Sequence, residues 1–331
     1  MKVDLLRFQL ESGKWVAFVV VACVAFAALL LGPQAKTTGG LVFTASPDES
    51  ISNQCLLWSY RSVTKSVSMS ADGSYIATVG GDGVQLFSRA DNIPIWSYGL
   101  EDVQWVSMSA DGFYIAAGSF YPLLGSSVYL FSRADNIPIW SYRVGEYVGR
   151  VSMSSDGLYI VAGEDDSVCL FSRADNTPIW SYRTSAYVSS VSMSADGLYI
   201  AAGSGDNKIY LFSRADNTPI WSYQTSEFVG SVLMSSDGSY IAAGGIGGVY
   251  LFSRVDNTPI WSYQTSSSFP SISISSDGSY IAAGGYGGIL DGLYLFSGEP
   301  HVASVYVAIV AIVGCVALGI VIVLGWRRWG R

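Results

Sequence analysis

The sequence predicts an all-β fold: a six-bladed β-propeller, closed by strands from both ends of the chain and carried between two membrane-spanning helices. Three observations lead there. A phrase recurs six times along the 331 residues. The two ends of the repeat array supply complementary fragments of one copy. Long apolar runs flank the whole array. The phrase reads Ser-x-Asp-Gly-x-Tyr-Ile-Ala, then Leu-Phe-Ser-Arg-x-Asp-Asn-x-Pro-Ile, then Trp-Ser-Tyr, with small variations. Its turn aspartates are Asp72, Asp111, Asp156, Asp196, Asp237 and Asp277, which number the copies one to six. Its tryptophans are Trp58, Trp96, Trp140, Trp180, Trp221 and Trp261. Both series advance by 38 to 45 residues. A period of that length marks a repeat architecture.

Each copy holds four short β-type runs, A to D. In the fourth copy they are Val191-Ser-Met-Ser, Tyr199-Ile-Ala-Ala, Ile209-Tyr-Leu-Phe and Pro219-Ile-Trp-Ser-Tyr. β-branched and aromatic residues fill them, and Gly, Asp and Asn punctuate the gaps. Asp-Gly joins A to B, a strong hairpin signal. Asp-Asn and a proline join C to D; proline suits an outer strand, so D is the rim. Serine and alanine dominate A and B, whereas Tyr, Phe and Trp dominate C and D. Small residues inside and large ones outside fit wedge-shaped blades around an axis.

The ends count the blades. Five copies run A to D. The sixth stops after C, and Leu56-Leu57-Trp58-Ser59-Tyr60 offers the missing D from the other end. Six four-stranded blades result, with no exposed sheet edge. The run Leu41-Val42-Phe43-Thr44 resembles an orphan strand C, so a partial seventh blade is the alternative.

The organisation beyond the propeller (residues 41–299) follows from hydropathy. Residues 15–32 read as one span and 302–326 as another. About 17 to 20 apolar residues at 1.5 Å each cross roughly 25–30 Å of hydrocarbon. Lys2, Arg7 and Lys14 precede the first span; Arg327, Arg328 and Arg331 follow the second. Positive flanks stay cytoplasmic, so residues 1–14 and 327–331 are expected inside, and the propeller, with linker 33–40, outside the cytoplasm. The first run also fits a signal peptide, with a charged amino end and Ala35 near a cleavage point. Its length and Pro33 favour an uncleaved anchor. Residues 33–301 carry 12 basic and 24 acidic residues, a net charge of −12. That balance excludes nucleic acid as the partner, since nucleic acid calls for clustered Lys and Arg.

The repeat resembles the WD-repeat and pyrroloquinoline-quinone-type (PQQ-type) propeller families over residues 41–297. The Ser-x-Asp-Gly-x-Tyr-Ile-Ala stretch is similar to the A–B hairpin of WD repeats. The Asp-Asn-x-Pro-Ile-Trp stretch is similar to the Trp-bearing element of PQQ-type repeats. There is no Trp-Asp and no Gly-His dipeptide, so the hydrogen-bonded network of typical WD repeats is not expected. Quinoproteins of the resembling class are usually eight-bladed and use specific calcium ligands, which have no match here.

Catalytic options are few. His301 is the single histidine, so neither a Ser-His-Asp nor a Cys-His set can be assembled in the repeats. Zinc sites of the His/Cys type are equally out of reach. Cys23 and Cys315 lie in the apolar runs; Cys55 and Cys169 fall in well-separated blades, and Cys169 reads as a strand residue. Glu164-Asp165-Asp166 offers oxygen ligands but not a calcium-loop spacing, and reads as a solvated charged loop. The Arg and Asp of Ser-Arg-x-Asp-Asn recur in five copies and read as caps of the C–D turn. The tryptophans read as rim packing. No catalytic, cofactor-binding or metal-binding residue is assigned, and no cofactor is expected.

Function should sit where the copies differ. A–B and C–D loops are nearly invariant and share one end of the blades. D–A and B–C loops vary and share the other. The second copy inserts residues 119–125 and the sixth residues 286–292 into their B–C loops. The candidate partner-binding residues are Glu101, Asp102, Trp105, Phe120, Tyr121, Leu123, Leu124, Glu146, Tyr147, Tyr187, Glu227, Phe228, Phe269 and Tyr286. Aromatic and acidic side chains on loops held by a rigid scaffold suit recognition of a protein or peptide. The alternatives are that these aromatics plug the channel, that the chain is a quinone- or calcium-dependent oxidoreductase, or that it is a structural surface module.

Overall fold

A computed structural model describes residues 56–120, 125–145, 147–287 and 292–299. The two apolar runs, Leu41–Thr44, Cys55 and His301 lie outside the described residues. Among the described residues no helix is long and apolar enough to cross a membrane.

The first four copies fold as expected, into separate four-stranded sheets that pair in chain order. The first sheet is β1 (Thr64–Met69), β2 (Tyr75–Gly80), β3 (Gly83–Ser88) and β4 (Pro94–Tyr98). The second is β5 (Val103–Met108), β6 (Tyr114–Ser119), β7 (Ser127–Ser132) and β8 (Pro138–Arg143). The third is β9 (Val148–Met153), β10 (Tyr159–Glu164), β11 (Ser167–Ser172) and β12 (Pro178–Arg183). The fourth is β13 (Val188–Met193), β14 (Tyr199–Ser204), β15 (Lys208–Ser213) and β16 (Pro219–Gln224). Consecutive antiparallel pairing places the A–B and C–D turns at one end and the D–A and B–C loops at the other.

The fifth and sixth copies depart from separate blades. They share one sheet of β17 (Val229–Met234), β18 (Tyr240–Ser253), β19 (Pro259–Ile274), β20 (Tyr280–Tyr286) and β21 (Gly292–Ser297). β18 joins strands B and C through Gly247 and Gly248, both at positive φ. β19 joins D of the fifth copy to A of the sixth through Thr265-Ser-Ser-Ser without a turn. Ser268 therefore pairs with Ile246 on one side and Tyr286 on the other.

Five cores lie between neighbouring copies. In the third, Val161, Val168, Leu170 and Trp180 of one copy meet Val188, Val191, Met193, Ile200 and Phe212 of the next. Phe212 is fully buried, and burial of such a side chain stabilises by about 1.5–3 kcal/mol.

The invariant turn end is laced by hydrogen bonds. Asp196 accepts from the Ser194 hydroxyl at 2.6 Å and from Leu198 N at 2.9 Å. Gly197 sits at φ +68°, and a Cβ there would lie 3.1 Å from Ser154 and from the Tyr159 ring of the preceding copy. Backbone amides then link turn to turn: Ala71 to Ala110, Ala110 to Ser155, Ser155 to Ala195, Ala195 to Ser236 and Ser236 to Ser276, at 2.8–2.9 Å. Five of the six outer Trp residues reach the next copy, as Trp180 Nε1 donating to the Arg214 carbonyl at 2.9 Å, whereas the buried Trp261 Nε1 has no partner among the described residues. Each Asn holds the preceding strand D, as Asn217 Nδ2 donating to the Ser181 carbonyl at 2.8 Å.

The Asp of Ser-Arg-x-Asp-Asn caps its turn, as Asp216 accepting from Thr218 N. The Arg does something else. Arg133, Arg173, Arg214 and Arg254 lie 4.2–4.3 Å over Tyr75, Tyr114, Tyr159 and Tyr199 of the preceding copy. A weakly hydrated planar cation stacks on a ring at little desolvation cost, which favours this seat over the turn.

At the amino end, Trp58 behaves as an outer-strand Trp. It stacks on Phe87 at 5.6 Å and donates to the Arg89 carbonyl at 2.9 Å, while Asn92 holds the Ser59 carbonyl. No strand ladder joins these residues to β21. Leu293 and Leu295 are 81% and 71% exposed, and Val67 and Met69 60% and 55%. Their counterparts elsewhere, Val249 and Leu251, Val106 and Met108, are all buried. Residues 58–60 are thus docked on the first copy.

Candidate functional site

The variable end carries a row of aromatic rings. Phe120 follows β6, and Tyr147, Tyr187 and Phe228 each precede a strand A. Phe120 meets Tyr147 at 5.5 Å between centroids, Tyr147 meets Tyr187 at 6.3 Å, and Tyr187 meets Phe228 at 5.6 Å. The first two pairs are edge-to-face, an arrangement the ring quadrupole favours. The row crosses four successive copies. Tyr187 remains 47% exposed and rests on Gly205, whose missing side chain makes room for the ring.

The other sequence candidates divide. Glu101, Asp102 and Glu227 are exposed beside the row. Asp102 takes φ +52°, accepts from Lys65 Nζ at 3.2 Å, and its carbonyl accepts from Phe120 N. Trp105 is not a loop residue: it lies within β5 and lines a pocket between the A strands. Phe269 is fully buried in the fifth core, edge-on to Tyr263 and Tyr294. It occupies the register place of Val103, Val148, Val188 and Val229, all buried, so it serves packing. Tyr121, Leu123, Leu124 and Glu146 lie outside the described residues. Tyr286 ends β20 in the backbone, and its side chain is likewise outside them.

Strands A of the first five copies line an open pocket of about 180 Å³. Trp105, Arg150, Ser107, Ser152 and Ser192 are among its lining, and no lining residue is acidic. The Arg150 guanidinium lies 4.7 Å over the Trp105 ring. Burial lowers the Arg150 pKa, and Tyr147 opposes that shift. Burial raises the Tyr147 phenol, as does Tyr187, while Arg150 pulls it down. The ring row and the pocket cation therefore sense one another. Sequence reasoning missed Arg150. The signal was present: the aligned places in the six copies read Ser66, Trp105, Arg150, Ser190, Ser231 and Ser271.

Glu164 is a second correction. It ends β10 and is buried, where a solvated loop was expected. Burial raises its pKa to about 7, with Asp165 and Asp166 adding to the shift and a hydrogen bond to Cys169 opposing it. Its Oε1 has no hydrogen-bond partner. Burial and Glu164 push the Cys169 thiol well above its ordinary value. Asp166 turns outward to Arg183 at 2.6 Å. Among the described residues no cluster of three or more His, Cys, Asp or Glu could hold a metal ion.

These features define a β-propeller repeat protein. The family model described as outer membrane protein assembly factor BamB matches residues 184–301, the last three copies. The β-propeller domain of Cps50 (Swd1) from Myceliophteria thermophila, in its crystal structure, is similar at TM-score 0.59 and 15% identity. The match covers 72% of this chain and 84% of that one. That likeness speaks to fold. No curated protein matches the chain in sequence.

Proposed function

We propose that this chain is a non-catalytic, membrane-anchored scaffold that binds a protein or peptide through the D–A and B–C loop end of its propeller. The observation that carries the reading is the ring row from Phe120 to Phe228, on loops that differ between copies while the opposite end repeats itself. Aromatic rings supply large contact area at little entropic cost and are over-represented where partners bind. The description of the matching family, an outer membrane protein assembly factor, is in keeping with a protein-binding role. The apolar runs 15–32 and 302–326 would hold the propeller at the membrane on its extracytoplasmic side. Pairing of residues 56–60 with β21 would close a six-bladed ring and cover Leu293, Leu295, Val67 and Met69.

The test is affinity capture from solubilised membranes with wild type and a Tyr147→Ala, Tyr187→Ala, Phe228→Ala variant. Partners lost from the variant, with unchanged folding, support the reading. An identical partner set removes it. Protease digestion of intact and permeabilised cells tests the topology: the reading requires the propeller to be cut first from the outer side, with both tails protected.

A further inference from the structure

We infer that Arg150 is a carboxylate receptor in the pocket between the A strands, and that the partner is a peptide presenting an acidic side chain or a free carboxyl terminus to it. The inference rests on the peptide-binding reading and names what the pocket recognises.

Three observations carry it. First, Arg150 is singular in its register. Four copies place a serine there, and the two that do not are adjacent and touch: Trp105 and Arg150. A scaffold built from repeats needs neither side chain. Second, among the described residues no carboxylate faces the cation. Tyr147, a neutral phenol near pH 7, is the ionisable group whose charge acts on it. A half-buried guanidinium without a counter-charge carries a desolvation cost, and the stack on Trp105 holds it ready for one.

Third, the walls supply donors. The Ser107, Ser152 and Ser192 hydroxyls accept from the amides of Met153, Met193 and Met234 at 3.0–3.2 Å. An oxygen that accepts an N–H keeps its own O–H to give. Three hydroxyls and one guanidinium fork around 180 Å³ match the two oxygens of a carboxylate. The region's net charge of −12 repels a dianion about twice as strongly as a monoanion, so a single cation is better matched by a carboxylate than by a doubly charged phosphate. The approach is set too. Arg150 is the third residue of β9, and Tyr147 immediately precedes that strand. A peptide lying along the ring row would place a carboxylate on the guanidinium.

The test uses the full chain in lipid nanodiscs and two random heptapeptide libraries, one with free and one with amidated carboxyl termini. Arg150→Ser is the main variant, because four copies already carry serine at that place; Arg150→Lys is the second. Wild type should enrich peptides with a fixed acidic position in the amidated library, or with a fixed carboxyl-terminal register in the free one. The library that responds tells side chain from terminus. Affinity for selected peptides should fall roughly 10- to 100-fold in Arg150→Ser, the scale of a charge-assisted bond. Arg150→Lys should fall between, since it keeps the charge and loses the fork. Peptides enriched without any carboxylate feature, or bound equally by Arg150→Ser, overturn this inference and leave the scaffold reading standing. No enrichment by wild type in either library overturns both.

Discussion

The two ends of the propeller obey different rules. At the turn end the copies repeat the same bonds: Ser to Asp, Asp to amide, turn to turn and, in copies two to five, Arg over Tyr. At the loop end the copies vary more, although Tyr147, Tyr187 and Phe228 hold the same place before strand A. Phe120, Tyr147, Tyr187 and Phe228 meet there as a row. Repetition at one end builds a frame whose stability is a sum of like interfaces. Variation at the other is free to serve recognition, because the frame does not depend on it. The stability of variants should therefore divide by end.

The largest effect belongs to the frame. Phe212→Ala empties a fully buried site packed on Trp180 and Tyr182. It should cost about 3–5 kcal/mol in denaturant unfolding. A loss below about 1 kcal/mol would mean that the interblade cores are slack.

Glu164 tests the rule from the other side, since it lies at the loop end and still governs stability. Its folded pKa of about 7 stands above an ordinary 4.5. The folded state thus binds the proton more tightly, so stability is full below about pH 4.5 and falls as pH rises toward 7. The shift corresponds to about 3 kcal/mol lost across that window. Glu164→Gln should abolish this slope and unfold later than wild type at pH 8. An unchanged pH profile in the variant would show that Glu164 is hydrated and ionised.

Gly197→Ala places a side chain at φ +68° in an invariant turn. It should cost roughly 1–2 kcal/mol. The same substitution at Gly99, where a Cβ meets nothing within 4 Å, should be near neutral. Equal costs would erase the distinction between frame and open loop. The smallest stability effect belongs to Tyr187→Ala, within about 0.5 kcal/mol, because the ring is exposed. A larger loss would make the row part of the frame and favour a plug over a binding surface.

The frame was legible in the sequence for a physical reason. Copies that repeat a turn motif repeat its hydrogen bonds, so Asp-Gly turns, outer Trp residues and strand order could be read directly. The docking of Trp58 on the first copy followed from the same counting, whereas its pairing with the sixth copy remains a proposal. Residues whose role depends on a register column were harder. Phe269 looked like a loop aromatic but shares its place with Val103 and Val229. Arg150 looked like an ordinary charge but replaces a serine facing the pocket. Glu164 looked solvated because it heads an acidic run, whereas its strand carries it inward. The Arg residues of the C–D segment found a ring in the preceding copy, a contact between residues some 55 to 60 positions apart that no local pattern announces. The seam is the extreme case, since β21 and Trp58 stand at opposite ends of the repeat array.

The most direct test places a photo-crosslinking amino acid at Tyr187, in the ring row, or at Ala215, in an exposed C–D turn, within intact cells. The account predicts discrete protein adducts from position 187 and none from 215. Adducts from 215 alone, or the same adducts from both, would contradict a partner-binding loop end.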